Sequence, residues 1–256
     1  NIVLDALFLI VFRWGVAGAA LASCIGMALG TVLGLLPFLR KKLPLRFVRG
    51  RVPLHQLAAL LANGSSEFFS SIAGSVLMVI LNSVLLHLAG TPAVSAFSIV
   101  MYVDSIVGAL LFGMADSMQP AISYNYGAGS RTRMFALEKR VLTAAAAISL
   151  AVLVWMQLGG EQVIPLFLKE EDSALLDMTL RAMELFSLSY LLGWVSTCLS
   201  SFFTALNRPG LSLVLAFSRT LVFPLLSLLV LPGALGLDGV WLISTSTGVL
   251  TAILSL

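Results

Sequence analysis

The sequence predicts an all-α polytopic membrane protein, and three observations carry this prediction. Hydrophobic residues make up 59% of the 256-residue chain, charged residues only 11%, and the mean hydropathy is +1.03. About seven apolar stretches are long enough to cross a bilayer, which takes roughly 20 residues. The loops between them alternate between basic and nearly uncharged. A soluble domain carries about 25% charged residues, so this composition excludes an ordinary soluble protein.

The apolar stretches define the predicted spans in chain order. Residues 1–12 form the outer end of one further helix. The complete spans are 16–39, 55–88, 93–124, 141–158, 183–206, 211–231 and 240–256. The second and third exceed the length that a bilayer requires, so we expect these helices to tilt or to extend into the interface. Because the chain starts and ends within apolar runs, we expect a fragment of a longer protein.

The charges place the loops on two sides of the membrane. Residues 40–51 hold Arg40, Lys41, Lys42, Arg46, Arg49 and Arg51, out of 15 Lys and Arg in the chain. Short basic loops stay in the cytoplasm, so this loop is inside. Loops 125–140 and 207–210 are then also inside, and loops 87–91, 159–177 and 232–238 are outside. The sequence therefore predicts an orientation, and the net charge of +3 gives no nucleic-acid signature.

A short sequence occurs twice, each time at an outer loop and at the start of a span. Gly15-Val-Ala-Gly-Ala-Ala-Leu21 is followed 221 residues later by Gly236-Leu-Asp-Gly-Val-Trp-Leu242. An even number of spans separates the copies, so they have the same orientation, as in a parallel transporter repeat. The alternative is that Gly-x-x-Gly turns recur by chance before membrane helices.

Two carboxylates lie within consecutive spans at a similar depth. Glu67 is near the midplane, and Asp104 is about 11 residues from the outer end of the next span. Ionisable groups inside a span are costly and are a functional-site hypothesis by default. The pair could hold a cation or share a proton. The alternative is that neighbouring serines donate hydrogen bonds to each carboxylate.

A third polar group lies at the start of the chain. Asn1 and Asp5 are four residues apart and therefore share a helix face. An amide oxygen and a carboxylate form a hard oxygen site for Na⁺ or accept a proton, and Ser23 in the following span could add its hydroxyl. The alternative is a polar cluster at a helix end.

Four further ionisable residues are interpreted as structural pairs. Asp116 and Arg219 both lie towards the inner ends of their spans, which predicts an ion pair between them, although Arg219 could also extend its charge inward. Arg181 and Glu184 are three residues apart, and this spacing favours a pair on the helix surface.

Aromatic and methionine side chains are candidates for a substrate cavity. Phe69, Met78, Met101 and Tyr102 lie in the second and third spans, near the two carboxylates. Flexible methionines and aromatic rings suit a surface that binds many ligands. The alternative is that they pack against neighbouring helices.

Four sequence segments together resemble the multidrug and toxic compound extrusion (MATE) family, most closely its bacterial branch. Residues Asn1–Asp5 and the first glycine repeat are similar to the fifth helix and the start of the sixth. Glu67 lies where the seventh helix often carries an acidic residue. Gln119-Pro-Ala-Ile-Ser-Tyr-Asn-Tyr-Gly-Ala-Gly129 resembles the end of the eighth helix, and Phe203-Thr-Ala-Leu-Asn-Arg-Pro-Gly210 resembles the turn from the tenth helix to the eleventh.

The resemblance implies a protein of two six-helix lobes around a central cavity. Residues 1–40 would then end the N-terminal lobe, with part of helix five and helix six. Residues 41–52 would form the cytoplasmic loop between the lobes. Residues 53–256 would form the C-terminal lobe, helices seven to twelve. The chain would thus lack about the first four helices.

The resemblance also implies a function, namely a cation-coupled antiporter that exports amphiphilic organic cations by alternating access. In some relatives an Asn and an Asp of helix five and a Thr of helix six bind the coupling cation. Asn1 and Asp5 match these positions, and Ser23 replaces the Thr, which implies a possible Na⁺ site. Other relatives use acidic residues of the second lobe, where Glu67 matches. The coupling ion stays open between H⁺ and Na⁺.

The expected partners follow from the same resemblance. We expect a monomer in the bacterial cytoplasmic (inner) membrane, with lipid and small organic cations as partners, no nucleic acid and no cofactor besides the coupling ion. One alternative is a lipid-linked oligosaccharide flippase of the same superfamily, which would place several cations in the cavity, where only Arg219 qualifies. A membrane-embedded enzyme would need a convergent His/Asp or metal constellation, which the sequence does not show.

Overall fold

The computed structural model describes residues 2–39, 50, 52–164 and 173–255, except the side chains at 39, 63, 66, 67, 160–163 and 173. The described secondary structure consists of helices and tight turns. The chain divides into two compact units, Asn1–Pro53 and Leu54–Leu256. The all-helical architecture predicted from composition and hydropathy is confirmed.

The first unit is a short helix followed by a long apolar one. Helix α1 (Ile2–Ala6) continues as a π-helical turn over Leu7–Val11, and α2 spans Gly15–Leu39. The connection is tight. The Trp14 N–H donates to the Phe8 carbonyl (2.9 Å), and the rings of these two residues stack at 5.1 Å. The predicted loop 40–51 falls mainly on residues 40–49 and 51, which lie outside the described residues.

The second unit contains the remaining eight helices of the described chain. They are α3 (Leu54–Gly127), α4 (Arg131–Val163), α5 (Ser173–Ser187), α6 (Gly193–Ala205), α7 (Pro209–Phe217), α8 (Phe223–Leu235), α9 (Leu237–Trp241) and α10 (Ile243–Leu254). Four described helical segments are long and apolar enough to cross a membrane, or five if the bent pair α5–α6 forms one span.

Helix α3 contains two of the predicted spans, separated by a single residue. Gly90 has φ 72° and ψ −163°, a conformation that is essentially restricted to glycine, so the helix axis breaks there. The sequence predicted an outer loop at 87–91, and this loop is replaced by the one-residue break. Pro92 lies in the first turn of the second half, where its missing N–H would be unpaired in any case.

Three later spans are each built from two helices. A 3₁₀ turn (Leu188–Leu191) separates α5 from α6, and the pair bends by 44°. A π-helical turn (Ser218–Val222) joins α7 to α8, and α9 meets α10 at Leu242. Irregular turns of this kind release backbone groups from regular hydrogen bonding and are frequent at functional sites.

The second half of α3 is the centre of this unit. It packs against α4, α5, α6 and α7. Leu85, Val100 and Ala145 are fully buried, and the rings of Phe97 and Trp241 stack at 6.3 Å. Because helices around α3 bury apolar side chains inward, the unit has one continuous core with large apolar side chains also exposed on its outside.

The two copies of the glycine repeat have the same local geometry. Gly15 and Gly236 have φ of 57° and 60°, in the left-handed region that favours glycine. Gly18 lies against Phe8 and Trp14, where an added Cβ would meet their Cβ atoms at 3.0 Å, and Gly239 lies against the Leu231 backbone. The first glycine therefore permits the turn, and the second permits close contact with the preceding helix.

The predicted surface pair on α5 is confirmed and extends to a neighbouring turn. Arg181 Nη1 lies 2.9 Å from Glu184 Oε2, and its Nη2 lies 3.0 Å from Asp238 Oδ2. Asp238 belongs to the second glycine repeat. The guanidinium thus links α5 to the turn between α8 and α9.

Candidate functional site

The second unit encloses a cavity of about 500 Å³. Its walls come from both halves of α3, the 3₁₀ turn, α6, the π turn, α8, α9 and α10. Most lining side chains are apolar or aromatic, with a few polar groups among them. Ligand pockets in proteins have volumes of about 300–1,000 Å³ and this mixture of side chains, so the cavity is the candidate site.

The acidic group of the cavity is Asp104 on α3. The Tyr190 hydroxyl donates to Asp104 Oδ1 at 2.7 Å, and among the described residues it is the hydrogen-bond partner of this carboxylate. Tyr190 is itself buried and meets the Phe186 ring edge-on. A fixed carboxylate on an apolar wall can bind a cation, because its charge is attracted more strongly there than in water.

The basic group of the cavity is Arg219 in the π turn. Its Nη1 donates to Thr197 Oγ1 at 2.9 Å, and its guanidinium lies 5.1 Å from the centroid of the Phe112 ring. A cation over an aromatic face is stabilised by the charge distribution of the ring. The site therefore contains charges of both signs.

The predicted ion pair between Asp116 and Arg219 is not what the structure contains. Asp116 Oδ1 accepts hydrogen bonds from Gln119 (2.8 Å) and Ser201 (2.7 Å), whereas Arg219 donates to Thr197. The prediction estimated depth from an uninterrupted helix. Arg219 instead lies on a π-helical turn that lines the cavity, and Asp116 lies outside the cavity on α3.

The structure separates the four predicted cavity side chains into two pairs. Met78 and Met101 line the cavity. Phe69 and Tyr102 do not, and their exposed fractions are 46% and 63%. Adjacent residues on a helix point about 100° apart, so Met101 and Tyr102 cannot both face inward.

The other predicted coupling residues are placed only in part. Glu67 lies in α3, but its side chain is outside the described residues, and so is Asn1. Asp5 is half-buried on α1, and Ser23 is exposed on α2, the helix against which α1 packs. The Na⁺ site at these helices therefore stays a prediction. No group of three or more His, Cys, Asp or Glu suited to a metal ion occurs in the part of the chain that the structure describes.

Several cavity residues were not found from the sequence. Tyr190, Thr197, Phe112 and Trp241 lie in apolar spans where nothing marks them as inward-facing. One signal was available: α6 is unusually rich in Ser and Thr for an apolar helix, and its Ser196, Thr197, Ser200 and Ser201 are buried. Polar residues buried in a membrane helix face neighbouring helices or a cavity.

Comparisons with known proteins agree on one family. The model of the family MatE matches residues 68–229. The chain is 26% identical over 247 residues to the multidrug export protein MepA of Staphylococcus saprophyticus, and 24% identical over 243 residues to MepA of Staphylococcus haemolyticus. Each match covers 94% of this chain and 52% of the relative, so the chain spans about half the length of these curated relatives.

Solved structures show the same fold. An outward-facing multidrug resistance MATE transporter of the MOP superfamily superposes with a TM-score of 0.90 at 24% identity. A crystal structure of MATE in complex with MaL6 superposes with a TM-score of 0.91, also at 24% identity. Each match covers all of this chain and 58% of the solved chain.

Proposed function

Because the chain belongs to the MatE family, whose members are multi-pass, ion-coupled membrane transporters and not enzymes, we propose that the complete transporter exports amphiphilic organic cations. The chain then supplies the end of the N-terminal lobe (residues 1–40), the loop between the lobes (41–52) and the C-terminal lobe (53–256). The protein acts as a monomer in the bacterial cytoplasmic (inner) membrane.

One observation carries the proposal, namely a carboxylate on the wall of an otherwise mostly apolar cavity. Asp104 supplies charge attraction for a cation, and Tyr190 holds the carboxylate in place at 2.7 Å. Met78 and Met101 supply adaptable apolar contacts beside it. This combination suits ligands that share a positive charge and an apolar body and differ in detailed shape.

Coupling requires a group whose occupancy differs between the inward-open and outward-open states. A bound ion shifts this equilibrium only by its difference in affinity for the two states. We propose that Asp104, Glu67 or the Asp5 group with Asn1 and Ser23 binds H⁺ or Na⁺ from outside and thereby returns the emptied transporter inward. Proton or Na⁺ binding at Asp104 would also displace the exported cation directly.

The cavity gives no support to a flippase for pyrophosphate-linked lipids. Recognition of a pyrophosphate would require several basic side chains. Arg219 is the one basic side chain among the described residues that line the cavity. We therefore keep drug export as the single proposed function.

The experiment is ethidium transport by the complete transporter in proteoliposomes, with a pH gradient and a Na⁺ gradient imposed separately. We expect one of the two gradients to drive ethidium accumulation and to name the coupling ion. Collapsing that gradient with an ionophore is the control and stops accumulation. Ethidium movement that ignores both gradients would contradict ion-coupled export, and no movement with intact protein would contradict ethidium as a substrate.

A further inference from the structure

We propose that the cavity contains an anion-binding subsite for a carboxylate carried by the ligand, formed by Arg219, the first turn of α6 and Thr247. The subsite deepens the proposed function and rests on it, because it lies in the same cavity as Asp104. The cavity would then favour compounds that carry both a cationic amine and a carboxylate.

Arg219 supplies the positive charge. Its guanidinium is held in orientation by the Thr197 hydroxyl at 2.9 Å and by the Phe112 ring at 5.1 Å. A guanidinium has five N–H donors in a planar fork that matches the two oxygens of a carboxylate. Thr197 accepts from one of these donors, so a carboxylate can bind beside that contact.

The start of α6 lies in the same wall. Gly193 and Trp194, the first two residues of this 13-residue helix, line the cavity together with Thr197 one turn later. No side chain caps this helix end. The unpaired N–H groups of a helix N-terminus and the helix dipole both favour a negative group.

Thr247 gives an independent indication of a ligand. Its side chain lines the cavity while the residue is only 6% exposed, and its Oγ1 has no hydrogen-bond partner in the described part of the chain. The next residue, Gly248, packs on Gly193, where an added Cβ would lie 3.2 Å from the Gly193 nitrogen. An unpaired buried hydroxyl is unfavourable, and a ligand carboxylate would accept its hydrogen bond.

The acidic group limits the ligand class. Asp104 lines the same cavity and would repel a simple anion. A zwitterion satisfies both charges, because its amine faces Asp104 and its carboxylate faces Arg219. The volume of about 500 Å³ is within the range for drug-sized ligands.

Two dyes that differ at one group test this subsite. Tetramethylrhodamine methyl ester is a cation, and tetramethylrhodamine free acid carries a carboxylate in its place. Binding of each is measured by fluorescence anisotropy on the purified complete transporter. We expect Arg219→Gln to lower the affinity for the acid about tenfold relative to the ester, the value of one hydrogen bond to a charged group. Arg219→Lys should fall between the two proteins.

Two threonine variants make the test independent of the arginine. Thr247→Val should lower the acid-to-ester affinity ratio about threefold. Thr143→Val is the matched control, because Thr143 is exposed on α4 and its hydroxyl bonds the Lys139 carbonyl. It should leave the ratio unchanged.

The outcomes separate the subsite from the proposed function. Ester binding without acid binding by the unmodified transporter would overturn the subsite alone. Equal losses for both dyes in Arg219→Gln and Thr247→Val would do the same. If neither dye bound, the proposed drug cavity would fail together with the subsite.

Discussion

Replacing Asp104 with Asn lowers ethidium efflux by the complete transporter about ten- to hundredfold. The substitution keeps the shape and an acceptor for the Tyr190 hydroxyl, which lies 2.7 Å from Asp104 Oδ1, but it removes the negative charge. Interactions that involve a charged group contribute about 1.5–3 kcal/mol, and 1.4 kcal/mol is a factor of ten in affinity. Efflux is followed by the loss of ethidium fluorescence from preloaded cells at matched expression.

The matched control is the same substitution elsewhere on α3. Asp116 lies about 18 Å further along the helix, outside the cavity, and its partners Gln119 and Ser201 can still donate to an asparagine oxygen. Asp116→Asn should leave efflux within about twofold of the unmodified protein. Efflux that is insensitive to Asp104→Asn and lost in Asp116→Asn would place the cation-binding carboxylate at the wrong residue.

Replacing Gly239 with Ala destabilises the second unit by about 3 kcal/mol. The added Cβ would collide with the Leu231 carbonyl and with the Pro232 nitrogen, which lies 2.8 Å away. Both are backbone atoms at the end of α8, so no rotamer change can relieve the contact. At about 2–4 °C per kcal/mol, the melting temperature should fall by roughly 6–12 °C. Fluorescence-detected size exclusion after heating measures this shift.

Gly233→Ala is the control for this experiment. Gly233 lies inside α8, and a Cβ there meets no atom within 4 Å. Alanine is the better helix former by roughly 0.5–1 kcal/mol, so this variant should match or exceed the unmodified stability. Equal melting temperatures for the two variants would show that α9 does not contact α8 as closely as the structure has it.

Much of the fold could be predicted from sequence because the bilayer imposes strong constraints. Length and hydropathy define spans, and basic residues such as those within 40–51 mark loops. The long apolar run around residues 55–124 even divides where predicted, near Gly90. Family membership, suggested by the segments ending at Gly129 and Gly210, is confirmed by the family match and by the relatives. The coupling residues and the assignment of lobes stay predictions.

The internal geometry of the spans could not be predicted in the same way. Hydropathy does not reveal that a helix ends and restarts at Gly193, or that a π turn at Ser218–Val222 brings Arg219 to the cavity. The incorrect Asp116–Arg219 pair arose from this limit. Asp104 could be identified because an acid in an apolar span is unusual, whereas its partner Tyr190 resembles any other aromatic residue in a membrane helix.

The most direct test of the central claim is to fill the cavity. Gly108 lines it, and a Cβ there meets no atom within 4 Å, so a larger side chain can enter the space. Gly113 lies five residues later on the same helix, outside the cavity, and has equally open surroundings. Ethidium binding to the purified complete transporter is measured by fluorescence for Gly108→Trp and Gly113→Trp. The account predicts that binding is lost only in Gly108→Trp. Normal binding to a folded Gly108→Trp protein would contradict it.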